Sequence, residues 1–235
     1  MNPGLVFKRV VIDLHRTPDD SAIAAASELA GWLQVELFGR FIVDPGLARL
    51  AALPFAREFR PGGSGWRALD EAGIAADTDF AAAAARRLFQ RVAAAAAVPH
   101  RFELVPPAAP EPAPPQDDIL VLRYAEHPGE GFATALQTAL RHARAVLILP
   151  RQPVKRRGPV LVLAHRRDDP AVEIAGQLAA ASGEVYLFTD CQGNACDPAI
   201  AATARLVIVS RPAFGDEAAL ALAQRRHVPV LVVGG

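Results

Sequence analysis

Two passages place the same potentially reactive side chains in the same order. Asp13–Ala30 reads DLHRTPDDSAIAAASELA, and Leu163–Ala179 reads LAHRRDDPAVEIAGQLA. In each, a His-Arg pair follows an apolar run and precedes Asp-Asp and an Ala-rich stretch. His15 and His165 stand 150 positions apart, and Leu29 and Leu178 stand 149 apart. An imidazole and a guanidinium at a strand end, beside the outward amides of a following helix, can hold an anion. Asp19-Asp20 and Asp168-Asp169 compete for those amides, because they occupy capping positions and complement the helix dipole. His15-Arg16 and His165-Arg166 therefore have two readings, an anion site and an ion-paired turn, and the capping chemistry favours the turn.

Other reactive residue types do not assemble by spacing. No G-x-S-x-G elbow is present, and Ser21, Ser27, Ser64, Ser182 and Ser210 have no base assigned by position. Cys191 and Cys196 lie in the polar stretch DCQGNACD, without further Cys or His at metal-ligand spacing. A redox pair there rests on proximity alone. His142 and His227 each close an apolar helical pattern, where a cation suits the dipole. No catalytic set, metal site or cofactor is expected from these residues.

The bulk composition narrows the class. The chain has 235 residues, 51% hydrophobic, with 25 basic and 25 acidic side chains. Zero net charge gives no reason to expect a nucleic-acid or membrane partner. No apolar run reaches the ~20 residues of a spanning helix. The opening MNPGLVFKRVVIDL lacks a signal-peptide pattern, so a cytoplasmic protein is expected.

The elements that must position these residues follow from periodicity and turn chemistry. Strands are expected at 7–14, 35–43, 100–105, 118–123, 145–149, 160–163, 184–188, 206–209 and 230–233. Helices are expected at 22–33, 80–98, 133–142, 171–181 and 217–226. Residues 45–78 read as a long irregular loop, and 106–116 as a proline-rich extended connector. Residues 152–158 read as a linker between a first domain, 1–151, and a shortened second domain, 159–235. Alternating, uninterruptedly apolar strands and helices indicate α/β architecture with parallel sheets. The repeats extend further: VELF at Val35 matches VYLF at Val185, and LRH before 146–148 matches RRH before 230–232. An internal duplication with a trimmed second copy accounts for them.

The passages KRVVIDLHRTPDDSAIAAASELA, DDILVLRY…ALRHARAVLILP and ARLVIVSR…LAQRRHVPVLVV resemble the universal stress protein family. The resemblance implies two open parallel-sheet domains in tandem, of the adenine-nucleotide alpha-hydrolase-like type, the second truncated. It implies strand order 3-2-1-4-5, with a ligand crevice between strands 1 and 4. His15 and Arg123 would sit there in the first copy, and His165 and Ser210 in the second. It also implies pairing through the last strands, Ala145–Leu149 beside Val230–Val233.

Nucleotide-binding members carry an acidic residue at the end of strand 1, where this alignment gives His15 and His165, with Asp13 deeper in the strand. They also carry a G-x-x-G loop and a later hydroxyl. Here the stretch is Pro128-Gly129-Glu130-Gly131-Phe132-Ala133-Thr134, with altered spacing and a carboxylate facing the phosphates. The candidate ligand residues are thus His15, Arg16, Arg123, Gly129, Gly131, Thr134 and His165. Two functions follow as expectations. The leading one is a non-catalytic stress protein that acts by binding or assembly, through its own halves, as a homodimer, or with a protein partner on uncovered sheet faces. The alternative is an ATP- or AMP-binding member that uses the first crevice.

Overall fold

A computed structural model describes residues 7–15, 17–51, 53, 55–59, 65–69, 71–106, 117–123, 130–150, 157–190, 203–211, 219, 221–222 and 228–234. The following ranges are those of its elements. The strands are β1 Arg9–Leu14, β2 Glu36–Ile42, β3 Arg57–Phe59, β4 Trp66–Ala68, β5 His100–Val105, β6 Asp118–Arg123, β7 Ala145–Leu149, β8 Val160–Ala164, β9 Tyr186–Asp190, β10 Leu206–Ser210 and β11 Val230–Val233. The helices are α1 Asp20–Leu33, α2 Pro45–Ala51, α3 Glu71–Ala95, α4 Glu130–His142 and α5 Pro170–Ser182.

Nine strands form one sheet in the order β5-β2-β1-β6-β7-β11-β10-β8-β9. All neighbours run parallel except β7 and β11, which pair antiparallel from Val230 opposite Ile148 to Val233 opposite Ala145. The first five strands have the 3-2-1-4-5 order that the resemblance implies. Counted toward the β7–β11 seam, β2-β1-β6-β7 and β9-β8-β10-β11 follow the same order, with β5 added outside β2 in the first half. The two halves share one continuous sheet, because their last strands are hydrogen-bonded to each other.

Helices cover the sheet where its strands are apolar. One face buries Val10, Ile12, Leu37, Phe41, Leu147, Val162 and Ile208 against α1, α3 and α5. On the other, Phe132 and Leu136 of α4 meet Val146, Ile148, Leu161 and Val207. Completely buried Val, Leu and Ile side chains stabilise by about 1.5–3 kcal/mol each, which explains why strands of this composition take the centre. Over β1 and β2, beyond α4, that second face carries ion pairs. Arg9 forks onto buried Asp118 at 2.7 and 3.2 Å and lies over the Phe38 ring at 4.8 Å.

The stretch at 45–78 departs from expectation. In place of an irregular loop it contains α2, the β3–β4 hairpin and the first turns of α3. The helix expected from Phe80 begins at Glu71, nine residues earlier, and ends at Ala95. Its inner stripe, Ala82, Ala85, Phe89 and Ala93, is buried. Phe89 lies so close to Gly39 of β2 that an added Cβ would sit 2.7–3.0 Å from its ring. Residues 107–116 of the proline-rich connector, linker residues 152–156, Cys191 and Cys196 lie outside the described residues, as does most of the helix expected at 217–226.

Candidate functional site

The crevice forms where β1 and β6, adjacent and parallel, send their chains to opposite faces of the sheet. Beyond Leu14, His15 is exposed. Asp19 then takes the N-cap of α1 with extended backbone, and its Oδ1 accepts from the Ser21 amide at 2.9 Å and the Ser21 hydroxyl at 2.6 Å. Its other oxygen accepts from Nη2 of Arg123, the last residue of β6, at 3.0 Å. Burial alone would raise the Asp19 pKa. The Ser21 hydrogen bonds and the Arg123 charge outweigh it and hold the carboxyl below its ordinary value.

The second half repeats the arrangement with a neutral partner. Asp169 caps α5, its Oδ1 accepting from the Ala171 amide at 2.9 Å, with Pro170 in the first turn. Oδ2 accepts from the hydroxyl of Ser210, the buried last residue of β10, at 2.7 Å. In both halves, therefore, the end of strand 4 reaches the capping carboxylate that follows strand 1. Each helix N-terminus is closed by an acceptor from its own chain, and that acceptor is fixed from the far side of the crevice.

The His-Arg pairs divide unevenly. His165 and Arg166 are exposed, and Arg166 forks onto Asp168 at 2.8 and 2.7 Å. That hydrogen-bonded guanidinium holds the Asp168 pKa below its usual value. This is the ion-paired turn read from the sequence. Arg16 and Gly129 lie outside the described residues. Gly131 and Thr134 are exposed on the first turns of α4, and the Thr134 carbonyl accepts from the Thr138 hydroxyl at 2.9 Å. Among the candidates, Arg123 is tied to the α1 cap through Asp19.

Asp13 is engaged as well. Its register partner in β2 is Arg40, and the two form a bidentate pair at 2.7 and 2.9 Å. The Arg40 side chain is 9% exposed and that of Asp13 is 32% exposed. Sequence reading placed Asp13 in the strand but had no means of finding a partner 27 residues away, because that pairing depends on sheet register. The second roles of Asp19 and Asp169 were missed for the same reason.

A separate groove of about 840 Å³ runs along α1, bounded by Val92, by the residues from Ala95 to Pro99 at and beyond the end of α3, and by Arg205 and Pro229. Arg205, just before β10, donates to Glu28 at 2.5 Å and to Glu184 at 3.4 Å, and its guanidinium lies 4.5 Å from the Trp32 ring centre. Glu28 and Trp32 belong to α1, so Arg205 fastens one half of the sheet to the other. Among the described residues, no helix is long and apolar enough to cross a membrane, and no three His, Cys, Asp or Glu side chains gather to hold a metal.

The architecture is an α/β fold with a large, mostly parallel sheet of the universal-stress type. Among solved structures, the chain is similar to a universal stress protein from Archaeoglobus fulgidus DSM 4304, with 12% identity and a TM-score of 0.52, covering 95% of this chain and 98% of that one. It is also similar to a functionally unknown protein from Pseudomonas aeruginosa PAO1, with 12% identity, a TM-score of 0.47 and coverage of 95% and 92%. A third similar structure is the cytoplasmic domain of a prokaryotic cation chloride cotransporter, with 9% identity, a TM-score of 0.49 and coverage of 96% and 95%. No family model and no curated relative matches the sequence.

Proposed function

We propose that this chain is a universal-stress-like protein of the cytoplasm that acts in a stress response by binding or assembly, without catalysis. The observation that carries the proposal is the capping of α1 and α5, at the two crevices, by the protein's own carboxylates. Asp19, held by Arg123 and Ser21, and Asp169, held by Ser210 and the Ala171 amide, stand where an anionic ligand would need free amide donors. A phosphate arriving there would meet a carboxylate, and displacing that carboxylate would forfeit the cap. The glycine spacing at 128–134 supports the same reading, because Glu130 adds another negative charge to the stretch.

The test is phosphate release from ATP by the purified full chain, with and without magnesium. Release at the no-protein rate is expected, and unchanged in an Arg123→Ala variant. Turnover above the no-protein rate would overturn the proposal, and its loss in Arg123→Ala would place ATP in the first crevice.

A further inference from the structure

The two halves end differently at the outer edges of the sheet. The first runs β5-β2-β1-β6-β7 and the second β9-β8-β10-β11, so among the described residues no strand lies outside β9. Sheet register sets the equivalence of the two edges. Leu37 of β2 stands beside Val10, and Tyr186 of β9 stands beside Val160, 150 positions on from Val10. The Leu37 amide points outward and donates to the Pro99 carbonyl, just before β5, at 2.8 Å. Tyr186 has the same orientation. The Val160 amide donates to the Val185 carbonyl at 2.9 Å, so in a parallel ladder the backbone groups of Tyr186 and Phe188 point away from β8.

The side chains differ in the same way. With β5 outside them, Leu37 and Phe38 are 0% and 7% exposed, whereas Val185, Tyr186 and Leu187 are 66%, 45% and 41% exposed. The two edge strands also differ in composition. β5 carries Arg101 and Glu103, both exposed, and charge of this kind discourages further pairing. From Val185 to Thr189 the other edge has no charge and no proline. Tyr186 and Leu187 lie on opposite faces of β9, so an added strand would meet apolar groups on both. A counterpart of α3 is not required there. Phe188 stands where Gly39 makes room for the Phe89 ring, and Arg167 lies over Phe188 at 5.1 Å.

We propose that β9 is a docking edge for an extended segment of another protein, which adds as a parallel strand in the place that β5 takes beside β2. The segment is about five residues long, free of proline and apolar on both faces. Main-chain bonds to Tyr186 and Phe188 hold it, and the Tyr186 and Leu187 side chains select its apolar character. A second copy of this chain fits less well. Two β9 edges related by a two-fold axis meet antiparallel, whereas every pairing within either half is parallel. The inference is independent of the crevices and holds whether or not they take a nucleotide.

The test is amide hydrogen exchange of the full chain, read residue by residue by NMR, with a capped synthetic peptide of residues 100–105, HRFELV, as the strand probe. In the free chain the Tyr186 and Phe188 amides should exchange roughly 100-fold or more faster than those of Leu37 and Gly39. Peptide at millimolar concentration should slow Tyr186 and Phe188 by roughly tenfold or more, and leave Leu187, whose amide faces β8, unchanged. N-methylation of the peptide at Arg101 and Glu103, whose amides face β2 in the chain's own ladder, should remove the effect. Leu187→Lys should weaken peptide binding by roughly fivefold or more. Slow exchange of Tyr186 and Phe188 in the free chain at every concentration would show that the chain fills this edge itself. Protection that rises with protein concentration would assign the edge to a second copy. Either result, or a peptide without effect, or one that binds equally well when N-methylated, would overturn the proposal.

Discussion

Arg123, at the end of β6, holds the Asp19 carboxylate at the head of α1 across 3.0 Å, although the two residues are 104 positions apart. The bond joins the end of β6 to the head of the helix that follows β1, and it engages the oxygen that the cap leaves over. It makes one carboxylate responsible for capping the helix and for tying its head to the end of β6.

That double role has a pH signature. The folded-state pKa of Asp19 is lowered, so its stabilisation is fully present above the unfolded value of about 3.9 and is lost as pH falls through the folded value. Asp19→Asn keeps a capping acceptor but removes the charge. The stability gap between wild type and Asp19→Asn should be constant near neutrality and shrink below about pH 4, as read by urea unfolding across pH. Asp19→Ala should cost a further ~1 kcal/mol for the lost cap.

The Asp13–Arg40 pair should respond asymmetrically. Arg40 is nearly buried, whereas a third of the Asp13 side chain meets solvent. Asp13→Ala strands a buried guanidinium, while Arg40→Met leaves a carboxylate that water reaches. Asp13→Ala should be the more destabilising by about 1–2 kcal/mol. Equal losses in chemical denaturation would refute the assignment of Arg40 as the buried partner.

Arg205 should be worth more than a surface ion pair. It is 14% exposed, contacts Glu28, Glu184 and Trp32, and bridges the two halves. Arg205→Ala should lower stability by about 1–3 kcal/mol, or very roughly 2–10 °C in Tm for a chain of this size. Glu28→Gln, which keeps an acceptor, should cost less. Calorimetry of the three proteins gives the order.

Gly39 is required by the approach of Phe89. Gly39→Ala should cost ~1–3 kcal/mol through displacement of α3, and Gly39→Ala/Phe89→Leu should recover part of it by clearing the ring. Additive losses in thermal denaturation would show that the two positions do not meet.

Most of the sheet was legible because its strands are short, uniformly apolar runs bounded by turn residues. Asp118–Arg123, Ala145–Leu149 and Val230–Val233 have the limits read from sequence. Asp19 and Asp169 were recognised as caps because capping is local chemistry. The start of α3 was not, since Gly73, Asp77, Thr78 and Asp79 are weak helix formers, and a stripe of buried small residues and Phe89 holds the helix. The hairpin was missed because three-residue strands carry no readable period. Arg123–Asp19, Ser210–Asp169 and Arg40–Asp13 depend on which strands become neighbours, and composition does not encode that.

Thermal shift of the full chain with ATP, ADP and AMP tests the central claim most directly. A ligand present at 100 times its Kd raises stability by about 2.7 kcal/mol, which is readily seen as a higher melting temperature. With the helix N-termini at both crevices capped by Asp19 and Asp169, the melting temperature should stay flat across each titration. A saturable rise with any of the three, lost in Arg123→Ala, would contradict the account.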